Sequence, residues 1–193
     1  PVAFSLFSLE IRWYSLSYIF GILAGWVLAK RIFIKDDSLK EKFDDFISFI
    51  ILGIIIGGRL GYVIFYNLDY YLENIIEIFK IWNGGMSFHG GLLGVIFMSM
   101  WFAKKHNHNS YIYLDIVSLV APIGIFFGRV ANFINSELYG KETTLQWGVK
   151  FKKIDEIYRH PSQLYEAFFE GLLLFFILIY FRKTLSAKNP GFI

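Results

Sequence analysis

Three side chains in this sequence of 193 residues are suited to chemistry and sit where they are costly to provide: Arg59, His89 and Arg129. The two arginines lie inside apolar runs, beside glycine, in "GGRLGYVIFYN" (57–67) and "FFGRVANFIN" (126–135). A guanidinium in hydrocarbon is expensive, and such residues usually mark function. Two of them aimed into one polar pocket suit an anionic, phosphate-bearing ligand held by paired N–H donors, and a lipid headgroup is the phosphate available at that depth. Arg59 is equally suited to a structural ion pair with Glu166 or Glu170. His89 stands in "WNGGMSFHGG" (82–91), with four glycines around one titratable group. Histidine titrates near neutrality and can take a proton from a nucleophile, while the glycines let the backbone bend and approach a substrate. The same placement also fits a hydrogen-bonded structural histidine. The sequence contains no cysteine, which excludes disulfides, thiolate metal sites and a cysteine nucleophile of its own. No second histidine lies at ligand spacing, so no metal site is expected, and nothing calls for a cofactor.

The elements that must position these residues are apolar helices. The composition is 55% hydrophobic and 20% aromatic with only 18% charged residues, too greasy for a soluble domain of this length. The fold class expected is all-α, a polytopic helical membrane protein forming a single integral membrane domain over 1–193. Five spans can be drawn at 13–29, 46–66, 87–103, 112–134 and 162–181, each approaching the roughly 20 residues that cross a bilayer. Basic residues next to spans favour the cytoplasm. Lys30, Arg31, Lys35, Lys40 and Lys42 follow the first span, Lys104 and Lys105 the third, and Arg182, Lys183 and Lys188 the last. The connection at 67–86 has only Lys80, and the lysines of 135–161 stand away from span ends. This places the N-terminus outside and makes 135–161 a short external head. The net charge of +3 follows membrane orientation, and no nucleic-acid partner is expected.

Within 67–86, Leu68, Tyr71, Leu72, Ile75, Ile76 and Phe79 recur at helical spacing opposite Asp69, Glu73, Glu77 and Lys80. The pattern predicts an amphipathic helix in the outer interface, anchored by Trp82. Glycines four apart (Gly21 and Gly25; Gly53, Gly57 and Gly61; Gly90 and Gly94; Gly124 and Gly128) predict close helix packing and say nothing about chemistry. With the spans alternating in direction, Tyr14, Arg59, His89, Arg129, Asn132, Asn135, Glu137, His160, Gln163, Glu166 and Glu170 all fall toward the outer half. A lipid-modifying enzyme explains that one-sidedness. A transporter, or a subunit that binds an anionic lipid, is the alternative, although a transporter should carry polar groups near the midplane.

The stretch "GRVANFINSELYG" (128–140) carries a more specific message. It resembles the signature of the prolipoprotein diacylglyceryl transferase family, Gly-Arg-x-(Gly/Ala)-Asn-Phe-x-Asn-x-Glu-x-x-Gly, and has every fixed position of it. "IRWYSLSY" (11–18), "GGRLGYVIFYN" (57–67), "GGMSFHGGLLG" (84–94) and "RHPSQLYEAFFEG" (159–171) resemble the same family in the same order. The resemblance implies a seven-helix enzyme of the bacterial inner membrane with its site toward the periplasmic half. Such an enzyme moves a diacylglyceryl group from phosphatidylglycerol to the lipobox cysteine thiol of a prolipoprotein, the first step of lipoprotein maturation, so the nucleophile belongs to the substrate. It further implies that His89 helps activate the thiol, that Arg129 binds phosphatidylglycerol, that Asn132, Glu137 and Gly140 shape that site, and that Tyr14 is functionally sensitive. Arg59 joins the expected substrate-binding set from its position alone. Two further helices, the first with an arginine and a glutamate, are expected after Ile193, and the chain is read as part of a longer protein.

Overall fold

A computed structural model describes residues 2–6 and 9–185. Helices dominate, and four are long and apolar enough to cross a membrane: Trp13–Phe33, Asp37–Tyr66, Ser110–Asn135 and Ser162–Arg182. These contain four of the five expected spans. The fifth, 87–103, is also helical, as α4 (Phe88–Lys105). Its glycines, His89, Ser99 and two terminal lysines dilute its apolar character and leave it outside those four. The all-α expectation needs one correction, since two short antiparallel pairs flank the helices. β1 (Val2–Leu6) pairs with β2 (Leu9–Arg12), and β3 (Val149–Lys150) with β4 (Tyr158–Arg159).

The residues group into two compact units, Ile34–Asp115 and the remainder on either side of it. In the first of these, α2 (Asp37–Tyr66) starts nine residues before the apolar run because Asp36 caps it, accepting from the backbone N–H of Ser38 at 2.8 Å and Leu39 at 3.2 Å. A hydrogen bond from the Ser38 side chain, together with those backbone bonds, holds the Asp36 carboxyl below its usual range. Helix α4 lies against α2 through the expected glycines. A Cβ on Gly61 would sit 2.7 Å from Gly90 Cα, and one on Gly53 2.7 Å from the Gly94 carbonyl. Only hydrogen at these positions permits the approach. At the other end of the pair, Phe43, Phe46, Phe102 and Tyr113 form a buried aromatic cluster, with Phe46 and Tyr113 ring centroids 4.6 Å apart.

The amphipathic helix expected after α2 is broken into three pieces, α3 (Leu68–Glu73) and 3-10 turns at Ile75–Phe79 and Ile81–Asn83. Its apolar face is nonetheless present, with Leu72, Ile75, Ile76, Phe79 and Trp82 all exposed. The helix breaks at Asn74 and again at Lys80, whose backbone is not helical. Beyond the first break the Ile78 carbonyl accepts from the Arg59 guanidinium, and the Glu77 carbonyl accepts from both Arg59 and the Lys80 N–H of a 3-10 turn.

In the other unit, α1 (Trp13–Leu28) continues through one wide turn, Ala29–Phe33. A Cβ on Gly21 would lie 3.2 Å from Gly124 Cα of α5 (Ser110–Asn135), and one on Gly25 3.3 Å from Val120. Helix α6 (Ser162–Glu166) runs through a π-helical segment, Ala167–Leu173, into α7 (Leu174–Leu185). Gly171 meets α5 there, where an added Cβ would be 2.8 Å from Phe126 Cβ. Between α5 and α6, segment 135–161 carries the β3–β4 hairpin. Arg159 binds Asp155 through Nε at 3.1 Å and Nη2 at 2.7 Å and stacks over Tyr139. The Arg159 hydrogen bond holds the Asp155 carboxyl below its ordinary range.

Candidate functional site

The end of α5 and the residues after it bring Arg129, Asn132, Glu137 and Gly140 into one construction. Arg129 lies one turn before Asn132 on nearly the same helix face. Its Nε is 2.8 Å from Glu166 Oε2 and its Nη2 3.8 Å from Glu170 Oε2, so both carboxylates of the following helix lean on this guanidinium. Sequence reasoning offered those two glutamates to Arg59; the structure gives them to Arg129. Their i, i+4 spacing was the available signal.

Glu137 is held from every side. Its N–H donates to the Asn132 carbonyl (2.9 Å), and its own carbonyl accepts from Gln163 Nε2 (2.5 Å). Its carboxylate accepts from Asn132 Nδ2 at 3.2 Å and, at the limit of a hydrogen bond, from Asn135 Nδ2 at 3.5 Å. The residues on either side, Ser136 and Leu138, have φ of +62° and +54°. Left-handed backbone costs a non-glycine residue about 1–2 kcal/mol. Two such residues bracketing one carboxylate mean that the surroundings impose the turn, a pattern common at functional sites. Gln163, fully buried, was placed at the helix opening by sequence reasoning but not foreseen as the tether of this turn. Its Oε1 and Asn135 Oδ1 are buried without a partner among the described residues.

Gly140 joins the turn to the hairpin. Its N–H donates to the His160 carbonyl at 2.9 Å, and the His160 N–H returns to the Lys141 carbonyl at 2.9 Å. A side chain here would strike Ser162 Oγ and come within 2.8 Å of His160 Cβ, so glycine is required by space. His160 Nδ1 lies 3.1 Å from Tyr165 Oη, which also accepts from Trp147 Nε1 at 2.8 Å. This three-residue chain was not foreseen either. Tyr14, in the first turn of α1, is partly exposed, and its hydroxyl accepts from Tyr18 at 3.3 Å.

His89 and Arg59 belong to the other unit. His89 is exposed in the first turn of α4, its ring edge-on to Phe88, and no described residue hydrogen-bonds its nitrogens. The glycines around it divide into two kinds. Gly84 and Gly85 both have φ of +82°, a turn other residues resist, whereas Gly90 is packed directly on the α2 backbone at Gly57 and Gly61. Ser87 caps α4, its Oγ accepting from the Gly90 N–H at 3.2 Å.

Arg59 departs from expectation. It is 4% exposed, and each of its five N–H groups has a backbone carbonyl. Nε donates to Ile78 (2.8 Å), Nη2 to Glu77 (2.6 Å) and Lys80 (3.3 Å), and Nη1 to Gly85 (3.1 Å) and Gly84. Tyr71 covers its face at 5.1 Å. All five donors are thus engaged by the backbone of this one segment.

Among the described residues, mostly helical with four membrane-length helices, an arginine faces two carboxylates near the end of one such helix, and the class this defines is a multi-pass membrane protein. Its family is equally well defined. The family model described as prolipoprotein diacylglyceryl transferase matches residues 1–193. The chain is 50% identical over 195 residues to the phosphatidylglycerol–prolipoprotein diacylglyceryl transferase of Nitratidesulfovibrio vulgaris, covering 98% of this chain and 72% of that protein. The proteins of the same name from Rickettsia canadensis and Rickettsia bellii are 52% and 53% identical over 193 residues, covering 97% and 98% of this chain and 74% and 73% of theirs. The chain belongs to the prolipoprotein diacylglyceryl transferase family.

Proposed function

We propose that this protein transfers the diacylglyceryl group of phosphatidylglycerol to the lipobox cysteine thiol of prolipoproteins, at the bacterial inner membrane with the site toward the periplasmic half. The observation that carries the reading is the Arg129–Asn132–Glu137–Gly140 construction, present in full in a chain about half identical to transferases of that name. In this reading 1–193 is one integral membrane domain. Helix α4 is the fifth span, 68–83 lies in the outer interface through its exposed Ile75, Ile76, Phe79 and Trp82, and 135–161 is the external head.

The reaction is displacement at the glyceryl carbon that bears the phosphate. A carbon–sulfur bond forms, the carbon–oxygen bond to phosphate breaks, and glycerol phosphate leaves with the electron pair. Arg129 offsets the phosphate charge as it departs, and a fork of N–H donors can do so through two oxygens. Asn132 and Glu137 fix the turn beside it, and Gly140 admits the backbone crossing that holds this turn to α6. His89, exposed and without a hydrogen-bond partner among the described residues, takes the thiol proton. Tyr14 completes the set of functional side chains. The nucleophile is the substrate's, in keeping with a chain that has no cysteine.

The test is purified full-length protein in phosphatidylglycerol vesicles with a lipobox peptide, the peptide thiol being followed by mass. The diacylglyceryl adduct should appear with phosphatidylglycerol and be absent with phosphatidylcholine. His89→Gln should lower the rate at neutral pH by at least about a hundredfold, within the usual range for a lost general base. Raising the pH should partly restore it by ionising the peptide thiol, whose free pKa is about 8.5. No adduct from the wild-type protein would defeat the reading, and parallel pH profiles of the two forms would remove His89 as the base.

A further inference from the structure

The connection from α2 to α4 is stitched to α2 at two consecutive residues. At Gly58 the backbone carbonyl accepts from the Ser87 N–H at 2.8 Å. At Arg59 the side chain gathers the carbonyls of Glu77, Ile78, Lys80, Gly84 and Gly85. These carbonyls converge because the chain is not α-helical there; the 3-10 turns and two left-handed glycines turn them inward. Without the guanidinium the carbonyls of Ile78, Gly84 and Gly85 would lose their partner, whereas those of Glu77 and Lys80 would keep the N–H groups of Lys80 and Asn83. Ser87 then caps α4 through the Gly90 N–H, and His89 lies two residues beyond Ser87 in the same turn.

We propose that Arg59 is a positioning residue: it sets the fold of 77–85, thereby fixing where α4 begins and where His89 is presented. The consequence for catalysis rests on reading His89 as the base, whereas the shaping of 77–85 does not. A ligand phosphate could recruit Arg59 only by breaking several of these bonds at once and releasing the segment. The two roles therefore predict opposite behaviour of 77–85 when phosphatidylglycerol binds.

Segment behaviour can be read with one thiol, since residues 1–193 contain no cysteine. Asn83→Cys, at an exposed position in the full-length protein, is labelled with a membrane-impermeant maleimide in phosphatidylglycerol or phosphatidylcholine nanodiscs. The labelling rate should be the same in both lipids. In an Arg59→Lys background it should rise at least about tenfold, the scale on which losing one or two such bonds shifts a local opening. With that variant, kcat should fall at least about tenfold while KM for phosphatidylglycerol stays within about twofold, the signature of misplaced chemistry with binding intact. Faster labelling of the Arg59 protein in phosphatidylglycerol, or Arg59→Lys labelling at the parental rate, would overturn the proposal. If the lysine variant does not insert, the comparison of the two lipids still decides. An active His89→Gln would remove the base reading and leave the labelling result as it stands.

Discussion

Gly61→Ala adds one methyl group at a tight point of the α2–α4 contact, and its effect can be worked out from the distances. The new Cβ would lie 2.7 Å from Gly90 Cα, 3.3 Å from Gly90 N and 3.1 Å from Ser87 Cβ. Carbon atoms rest about 3.5–4.0 Å apart. The obstacle is backbone, which cannot rotate away, so the start of α4 must retreat by about 1 Å. Overpacking of this kind costs about 1–3 kcal/mol, and the better helix propensity of alanine returns about 1. A net loss of up to about 2 kcal/mol would lower the melting temperature by up to about 8 °C in a protein of this size. Function should suffer more, because His89 adjoins Gly90 and a 1 Å misplacement of a reacting group can cost about a hundredfold in rate. The control is Gly91→Ala, one residue on, whose Cβ would meet only the Ile54 carbonyl at an ordinary 3.8 Å. Thermal unfolding and peptide lipidation of both full-length variants check this. A Gly61→Ala protein that melts with the Gly91→Ala protein and keeps its activity would refute the steric argument.

Arg129→Lys should insert normally and lose at least about a hundredfold in transfer rate despite keeping the charge, because a single ammonium cannot bridge two phosphate oxygens; the lipidation assay in phosphatidylglycerol vesicles measures it. Gly128→Ala should leave thermal stability unchanged or slightly raised, since an added Cβ there meets nothing within 4 Å. A drop in activity at unchanged stability would then show that the open space beside Gly128 is used by substrate. For the 149–159 hairpin, the Asp155 carboxyl is depressed by Arg159, so its contribution is present above about pH 4 and is lost as pH falls through the depressed value. Amide hydrogen-exchange protection of this segment, corrected for the intrinsic pH dependence of exchange, should be constant from pH 5 upward and decline below about pH 4, and Asp155→Asn should remove that decline.

The helices were legible because their signal is carried by many residues at once. The ends were less so: α2 begins at Asp37, well before its apolar run, because a single capping side chain at Asp36 decides the start. The interfacial segment 68–83 shows the limit most clearly. Its apolar periodicity was real and its exposed face is present, yet the helix is broken at Asn74 and Lys80, and its later carbonyls meet a guanidinium from residue 59, which no local pattern encodes. Glycine spacing indicated close helix packing without saying which helices meet, and Gly53, Gly57 and Gly61 of α2 pack on Gly90 and Gly94 of α4. It misled around His89, where four glycines suggested one purpose, although Gly84 and Gly85 make a turn and Gly90 makes a packing contact. The Arg129 signature was recognisable as a string. That Gln163 tethers its turn, and that Glu166 and Glu170 lean on its arginine, depends on α6 meeting the end of α5.

The two arginines began with the same credentials, each beside glycine in an apolar helix, and their partners separate them. Arg59 is 4% exposed and bound to five carbonyls on one segment, so freeing it means unmaking that segment. The Arg129 side chain is 29% exposed and faces carboxylates, one at 2.8 Å and a looser one at 3.8 Å on a side chain that is itself 54% exposed. A carboxylate is an anion on a movable side chain. In the proposed reaction a phosphate arriving at Arg129 would exchange one anion for another and leave the backbone in place, with Glu170, the looser and more exposed partner, the one to yield. Neutral carbonyls locked in a turn permit no such exchange. An arginine held by counterions is thus poised for an anionic ligand, whereas one saturated by backbone is part of the scaffold.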